Sequence, residues 1–263
     1  MNRIAPPLTP LPEGVIERLS RISSGTLTTE LFRRGLKQCF LVGLTPLNPD
    51  KARFAGEAYT MRFIPAREDL DTYETLKPYP TPDNLQWEAA EAIGPGQVLV
   101  IDSRNDCRAA SAGNILLTRM MVKGVAGIVT DGALRDGVEI AQMGIPAYAR
   151  QVTASTRLSF HRTADLQTPI SCADVAVYPG DIIVGDGDGI TVIPRSLAAE
   201  IADVGEQRDI FEEYLVARVR NGEGLYGVYP PNEQTRADFA AWKQAGSDPA
   251  QITTLRAKKS DVA

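Results

Sequence analysis

Histidine is almost missing from this chain: His161 is the only one in 263 residues. A zinc site built on several histidines of one chain is thereby excluded. The three cysteines, Cys39, Cys107 and Cys172, lack the close pairing of a thiolate zinc site. Odd in number and scattered, they give no disulfide framework either, which fits a reducing compartment. Positive charge is also short. With 28 Lys and Arg against 33 Asp and Glu, the net charge is −5 and the pI near 5.1, so no basic surface is available for a nucleic-acid backbone or an anionic membrane. An anionic ligand must then be held by a few local cations, by helix N-termini or by a metal. No apolar run approaches the roughly 20 residues of a membrane span, and the opening MNRIAPPLTPLPEG has no signal-peptide core. A soluble, cytoplasmic protein is expected.

What remains is an ordinary globular composition, 43% hydrophobic and 23% charged. Residues 1–12 hold four prolines and read as an extended arm. Residues 13–35 read as two helices, the second capped by Ser23, Ser24 or Thr26 and stopped at Gly35. Residues 55–64 alternate like a strand. The polar stretch 65–85 reads as a long surface loop, and 86–93 as a short helix before a turn at Gly94-Pro95-Gly96. The apolar run 97–101 is a buried strand, 114–123 a helix closed by Gly124, and 125–130 a second buried strand. Strand, helix and strand at that spacing predict a right-handed parallel crossover. A loop over 131–137 and a short helix ended by Gly144 follow. Further on, Tyr178-Pro179-Gly180-Asp181 is a turn before a hairpin, and 196–221 is one long helix. The fold class expected is α/β, with sheet and helix layers around the crossover and a helical C-terminal extension. The expected division is 1–12, 13–225 and 226–263.

In a parallel sheet, ligands collect at the carboxyl ends of the strands. The loops after 97–101 and 125–130 belong to one crossover and should face one crevice. The first leads into a helix starting Gly113-Asn114-Ile115-Leu116, whose free N–H groups favour a carboxylate or oxyanion. The second carries Arg135 and Asp136 side by side. Arg135 suits bidentate contact with a carboxylate. Asp136 suits a hard cation such as Mg²⁺ or Mn²⁺, which needs few protein ligands. A 2-oxo acid would match this set, with a carboxylate and a keto oxygen to bind. On pattern alone, Arg135–Asp136 also reads as a surface ion pair and Gly113-Asn114 as a plain helix cap.

Other conspicuous residues carry less chemistry. His161, in LSFHRTAD, is expected to be structural or on the surface. GDGDG at 185–189 lacks the alternating oxygen ligands and twelfth-position glutamate of a calcium loop and reads as a turn. Cys107 has no histidine beside it to activate a thiol. Asp102, Arg104 and Asp106 share its loop, where they could shape substrate choice.

The stretch GNILLTRMMVKGVAGIVTDGALRDGVEIAQMGIPAYAR (113–150) resembles the RraA-like family, which includes the 4-hydroxy-4-methyl-2-oxoglutarate and 4-carboxy-4-hydroxy-2-oxoadipate aldolases. The family signature is an acidic residue, twenty spacers, then Arg-Asp, and twenty residues separate position 114 from Arg135 here. SSGTLTTELFRRG (23–35), AGEAYT (55–60) and VYPGDIIVGDGDGITVIP (177–194) match in the same order. The resemblance implies a swivelling β/β/α-type fold and a homotrimer or homohexamer with active sites between subunits. It implies that Arg135 contacts the carboxylate of a pyruvoyl group and that Asp136 binds Mg²⁺ or Mn²⁺ directly. It also implies that the amides of Ile115 and Leu116, beside Gly113, bind substrate oxygens. A glutamate from a neighbouring subunit would act through water on the metal, and Glu212, with Glu213 next to it, is the match. The activity implied is aldol cleavage of a 4-hydroxy-2-oxo acid to pyruvate, with oxaloacetate decarboxylation beside it. Alternatives are dehydration of a 2-oxo-3-deoxy sugar acid, or a non-enzymatic regulator of RNase E type. Two departures stand out. The acidic residue of the signature is Asn114, whose amide can still hydrogen-bond a metal-bound water but contributes no charge and is a poor base. The chain is also longer near 65–85 and after 225, like an extended branch of the family.

Overall fold

Val98 and Val100 point to one side of their strand and Leu99 and Ile101 to the other, and all four are fully buried. A strand apolar on both faces belongs in the middle of a covered sheet. The computed structural model describes residues 8–72 and 84–247. In chain order it contains α1 (Val15–Arg21), α2 (Ser24–Arg33), β1 (Thr45–Pro46), β2 (Phe54–Pro65), α3 (Leu85–Ala92), β3 (Gln97–Asp102), β4 (Ala110–Ala112) and α4 (Asn114–Val122). Then follow β5 (Gly127–Thr130), β6 (Ala133–Leu134), α5 (Gly137–Ala141), β7 (Ala147–Ala149), β8 (Gln151–Val152), β9 (His161–Leu166), β10 (Ile170–Cys172) and β11 (Val175–Val177). The hairpin β12 (Ile182–Asp186) and β13 (Gly189–Ile193) precedes the helices α6 (Ala198–Arg220) and α7 (Glu233–Gln244). The chain divides into two compact units between Asp203 and Val204.

The first unit is built on a mixed sheet in the order β1-β7-β5-β3-β2-β12-β13, with β9 also paired to β2. Strands β2, β3, β5 and β7 are parallel to one another, while β12, β13 and β9 join antiparallel. The predicted crossover is therefore present as β3–α4–β5. One face buries Leu99, Ile101 and Ile128 against Ala89, Ile93, Leu117, Met120 and Ile140 from the helices. The other buries Val98, Val100 and Val129 against Ile170, Cys172, Val175 and Val177 of the β10–β11 hairpin. Each such aliphatic side chain contributes about 1.5–3 kcal/mol when taken from water. A third cluster packs Leu19, Leu27 and Leu31 of the first two helices against Ile182, Val184 and Ile193.

Local signals set the element ends. Ser23 is the cap of α2, its side chain accepting from the Thr26 N–H at 3.2 Å. Gly124, at φ +78°, lets the chain leave α4 in the left-handed region. Tyr178–Asp181 turns into the β12–β13 hairpin as expected, and Asp186 Oδ1 accepts from the Asp188 N–H inside GDGDG, which is a turn.

Two expectations need correcting. The stretch 131–137 is not all loop: Ala133–Leu134 forms β6, the middle strand of a small parallel sheet β4-β6-β8. A strand of two residues has no periodicity to read, so the signal was absent. The polar stretch 65–85 continues β2 to Pro65 and begins α3 at Leu85, and its residues 73–83 lie outside the described residues.

The second unit contains most of α6, from Val204 on, and α7, joined by Tyr214, Leu215, Val228 and Trp242 with Phe239. Arg218 is held there by Glu223, Nη2 to Oε2 at 2.6 Å, and by Asp238. The helical C-terminal extension is thus present. Among the described residues, no helix is long and apolar enough to cross a membrane.

Candidate active site

The small β4-β6-β8 sheet fixes the site's geometry. Beyond the β4–β6 ladder, the Arg135 N–H donates to Ala112 O at 2.9 Å, so the residues after each strand emerge together. Gly113 and Asn114 follow β4, and Arg135 and Asp136 follow β6. The loop leading to β4 is stapled from below by Asp131, which is fully buried. Its Oδ1 accepts from Ser103 N–H at 2.6 Å, and its Oδ2 from Asn105 and Ala173 N–H at 3.1 and 3.3 Å. Burial raises the Asp131 pKa above the ordinary carboxylate value and these three N–H bonds oppose the rise. Ser103, Ser111 and Thr130 close a buried triangle of hydroxyls beside it, at 2.7 to 3.1 Å. Asp131 and this triangle escaped the reading of the sequence, where a strand-end Asp looks like any turn residue.

Asp136 occupies the left-handed region, φ 63° and ψ 44°, which Asp tolerates better than most residues. That backbone turn sends its carboxylate back to the start of α4. There Oδ2 accepts from the Asn114 N–H at 3.1 Å, and Oδ1 lies 3.4 Å from Arg135 Nε. Gly113 makes room: a Cβ at that position would stand 2.8 Å from Asp136 Oδ2. At the first turn of α4, the Leu117 N–H reaches Gly113 O at 3.2 Å. The amides of Ile115 and Leu116 have no carbonyl a turn earlier to bond, and the helix dipole adds positive potential where they point.

These residues share one cavity of about 300 Å³, lined by Gly113, Asn114, Ile115, Leu116, Arg135 and Asp136. The two crossover loops therefore face one crevice, as expected. Gln86, Trp87, Thr156, Arg157 and Leu158 line it too, and none was singled out in the sequence. Gln86 is anchored by Nε2 donating to Ser111 O at 2.6 Å. Glu212 lies on α6 in the other compact unit, and its Oε1 pairs with Arg208 Nε at 2.9 Å. Glu213 is its neighbour on that helix.

The donor set can be tested against a metal. Among the described residues there is no group of three or more His, Cys, Asp and Glu side chains placed to share an ion. The cavity offers one carboxylate, partly exposed, and two side-chain amides, those of Asn114 and of Gln86, whose Nε2 is already committed to Ser111 O. Oxygen donors so few in number suit Mg²⁺ or Mn²⁺, which keep several waters, and do not suit a closed zinc site. The space that Gly113 leaves open beside Asp136 Oδ2 fits the same reading.

The other flagged residues have structural partners. His161 is fully buried, stacked on Phe63 with ring centroids 5.3 Å apart. Its Nε2 lies 3.2 Å from Ala109 O and its Nδ1 3.2 Å from Arg104 Nη2. A guanidinium only donates, so Nδ1 accepts and Nε2 carries the proton of a neutral ring. Burial lowers its pKa below the ordinary value, with Arg104 and Arg108 adding to the effect and the Ala109 carbonyl opposing it. As pH falls through about 6.5, the unfolded chain takes up this proton and the folded one resists, so stability drops. Urea unfolding at pH 7.5 and 5.5 should show wild type losing stability more steeply than His161→Phe. Equal slopes would contradict the neutral ring.

Asp106 is held at about pKa 2, chiefly by its hydrogen bonds to Arg108. Asp102 is buried, accepting from the Arg104 and Ser171 N–H groups. Cys107 is partly buried, its thiol pKa raised by burial, and no histidine accompanies it. Asp102, Arg104, Asp106 and Cys107 are not among the residues lining the cavity.

The first unit is thus an α/β fold on a mixed sheet, with a pocket where the residues after β4 and β6 emerge. The family model for RraA-like (Aldolase/RraA) proteins matches residues 25–192, and the chain belongs to that family. It is 37% identical over 134 residues to a Halalkalibacterium halodurans protein provisionally named a 4-hydroxy-4-methyl-2-oxoglutarate aldolase, covering 50% of this chain and 62% of that relative. It is 30% identical over 145 residues to the 4-hydroxy-4-methyl-2-oxoglutarate aldolase of Thermus thermophilus, covering 55% of this chain and 78% of the relative. Among solved structures, Streptomyces coelicolor RraAS2, described as an unusual member of the RNase ES inhibitor RraA protein family, superposes with a TM-score of 0.69 at 29% identity. That match covers 80% of this chain and all of the other.

Proposed function

We propose that this chain is a divalent-metal-dependent lyase that cleaves a 4-hydroxy-2-oxo acid and releases pyruvate. The observation that carries it is the meeting of Arg135, Asp136 and the free first-turn amides of α4 at one cavity wall. Arg135 binds the substrate carboxylate through its terminal nitrogens, which take no hydrogen bond among the described residues. The amides of Ile115 and Leu116 orient the remaining oxygens of the 2-oxo acid head. Asp136 would hold Mg²⁺ or Mn²⁺ directly, and Asn114 would act on it through water. Such an ion supplies positive charge that takes up the negative charge developing on the keto oxygen as the C3–C4 bond breaks. C4 becomes a carbonyl as its hydroxyl loses a proton, and C3 ends protonated in pyruvate. Asn114 hydrogen-bonds and takes no proton, since an amide is not a base. The aldolase names of the relatives support this reading. Assembly as a homotrimer or homohexamer, with Glu212 supplied by a neighbouring subunit, is part of the same proposal. Ile115, 81% exposed at the cavity, leaves apolar surface for a neighbour to cover.

Pyruvate release from 4-hydroxy-2-oxo acids and from oxaloacetate, followed with lactate dehydrogenase, tests it. Activity should stop with EDTA and return with Mg²⁺ or Mn²⁺. Activity unchanged by EDTA would refute the metal. A keto-acid product formed from a 2-oxo-3-deoxy sugar acid without pyruvate would replace cleavage by dehydration at the same site. Turnover of none of these, with capture of a ribonuclease, would point instead to a regulator like those named for the RraAS2 family.

A further inference from the structure

Gln86 is a buried amide with only one end in use. It is 6% exposed and lines the cavity, and its Nε2 donates to Ser111 O at 2.6 Å. A carbonyl oxygen turned toward Ser111 O would be repelled, so the amide has this one orientation and its Oε1 faces away from β4. Among the described residues nothing donates to Oε1, and it is not one of the buried polar atoms cut off from solvent. A fixed acceptor is therefore presented to the cavity.

Its neighbours on that wall have matching chemistry. Thr156 opens the turn before β9, and its side chain makes no capping bond there, which leaves its hydroxyl to the cavity. Trp87 follows Gln86 on α3 and is 44% exposed, offering a broad indole face whose π-electrons favour C–H groups. Arg157, beside Thr156, only donates, with Nη1 on His161 O at 3.4 Å. The one carboxylate lining the cavity, Asp136, stands apart from them at the start of α4.

An acceptor, a hydroxyl and a donor on one wall need a ligand that both gives and takes hydrogen bonds. A carboxylate accepts but cannot donate, and Gln86 Oε1 repels it. An alkyl chain does neither. Hydroxyl groups do both, and the carbons bearing them carry C–H bonds for the indole face.

We propose that this wall selects a polyhydroxylated distal half, so that the substrate is a 2-oxo-3-deoxy sugar acid and Gln86 is its specificity residue. This rests on the 2-oxo acid reading of the same cavity. The head of the substrate lies at Arg135, Asp136 and the α4 amides, and Gln86 Oε1 accepts from a hydroxyl of the far half. As the C3–C4 bond breaks, C3 takes up a proton to give pyruvate. C4, whose hydroxyl loses one, leaves as the carbonyl of a hydroxyaldehyde.

Pyruvate release from three acids of equal chain length, with Mg²⁺ present, tests the assignment: 2-oxo-3-deoxygluconate, 4-hydroxy-2-oxohexanoate and 4-hydroxy-2-oxoadipate, each in both C4 configurations. They share the head and the 4-hydroxyl and differ beyond it in hydroxyls, hydrogens or a carboxylate. Wild type should show kcat/KM about 100-fold or more higher for the sugar acid than for the other two, because a site built to bond a hydroxyl rejects analogues that lack it. Gln86→Met, which keeps the length and removes the acceptor, should cut that ratio about tenfold. Since this change also frees Ser111 O, Thr156→Val supplies a second variant, at an exposed residue, and should lower the same ratio several-fold. Equal kcat/KM of wild type for the sugar acid and the hexanoate, or equal losses on both in the two variants, overturns the sugar-acid assignment and leaves the head-group site standing. Preference for the adipate overturns it in favour of a carboxylate at Arg157. Pyruvate from none of the three overturns the cleavage reading, and the assignment with it.

Discussion

Asp136→Asn is expected to lower kcat/KM for a 4-hydroxy-2-oxo acid roughly a thousandfold or more, while the melting temperature moves little. The reason lies in what the change keeps and what it removes. Asn is close in shape to Asp, and it is the residue besides glycine that best accepts the left-handed backbone found at 136. Its amide oxygen can still accept from the Asn114 N–H, now 3.1 Å from Oδ2. The folded state therefore loses only the charge-assisted part of one partly buried bond, about 1 kcal/mol. What disappears is the negative charge that would anchor a divalent cation, and a neutral amide is a far weaker ligand for Mg²⁺. Loss of transition-state charge stabilisation is worth a hundred- to a thousandfold for one fixed donor, and loss of the ion as a whole costs more. Asp136→Ala should be equally inactive but also less stable, because it adds strain of about 1–2 kcal/mol at positive φ. Turnover, Mn²⁺ binding by calorimetry and thermal unfolding of both variants check the argument. Full metal-dependent activity in Asp136→Asn would remove Asp136 from the site.

The expected drop in activity depends on features that were unequally legible in the sequence. The crossover β3–α4–β5 could be read because its strands are continuous apolar runs and its helix ends at Gly124, a residue that takes positive φ without strain. The Ser23 cap and the β12–β13 hairpin carried equally local signals. From that crossover followed the single crevice containing residues 113–116 and Arg135–Asp136. What could not be read is the device that brings these residues within hydrogen-bond distance. Strands β4, β6 and β8 are two or three residues long, too short for any alternation, and the Arg135 N–H bond to Ala112 O continues their ladder to the site. The staple at Asp131 was hidden for a related reason. It bonds to N–H groups of residues 103, 105 and 173, and a main-chain donor leaves no mark in the sequence. Trp87 and Arg157 reach the cavity from a helix and a loop 70 positions apart, and only tertiary packing unites them. Of the two roles that LSFHRTAD leaves open for His161, structural or surface, the structure shows the first: it is a core residue whose ring is tied to Arg104 and Ala109.

Gly113→Ala should reduce activity by about 10- to 100-fold with Asp136 still in place, and this effect isolates the position of the carboxylate from its charge. Gly113 has φ −131° and ψ 178°, extended backbone open to any residue, so alanine meets no backbone strain there. The conflict is entirely between side chains. The added Cβ would stand 2.8 Å from Asp136 Oδ2, 3.9 Å from its Cγ and 3.7 Å from Arg135 Cβ. The carboxylate must swing aside by a few tenths of an ångström or more, and its bond to the Asn114 N–H lengthens with it. A misplacement approaching 1 Å costs on the order of 100-fold in a site that works by fixed geometry. The cost in stability should stay near 1 kcal/mol, the usual difference between glycine and alanine at a helix cap. Gly25→Ala is the matched control, since nothing lies within 4 Å of a Cβ built there, and it should leave turnover unchanged. If the methyl group acts through Asp136, the two losses cannot add: in an Asp136→Asn background there is no anchoring charge left to displace. Gly113→Ala should then cost at most a further twofold or so. Steady-state kinetics on the four proteins of that cycle decides the matter. Fully additive losses would mean that the glycine serves substrate access by a separate route and that the contact between residues 113 and 136 has no part in the chemistry.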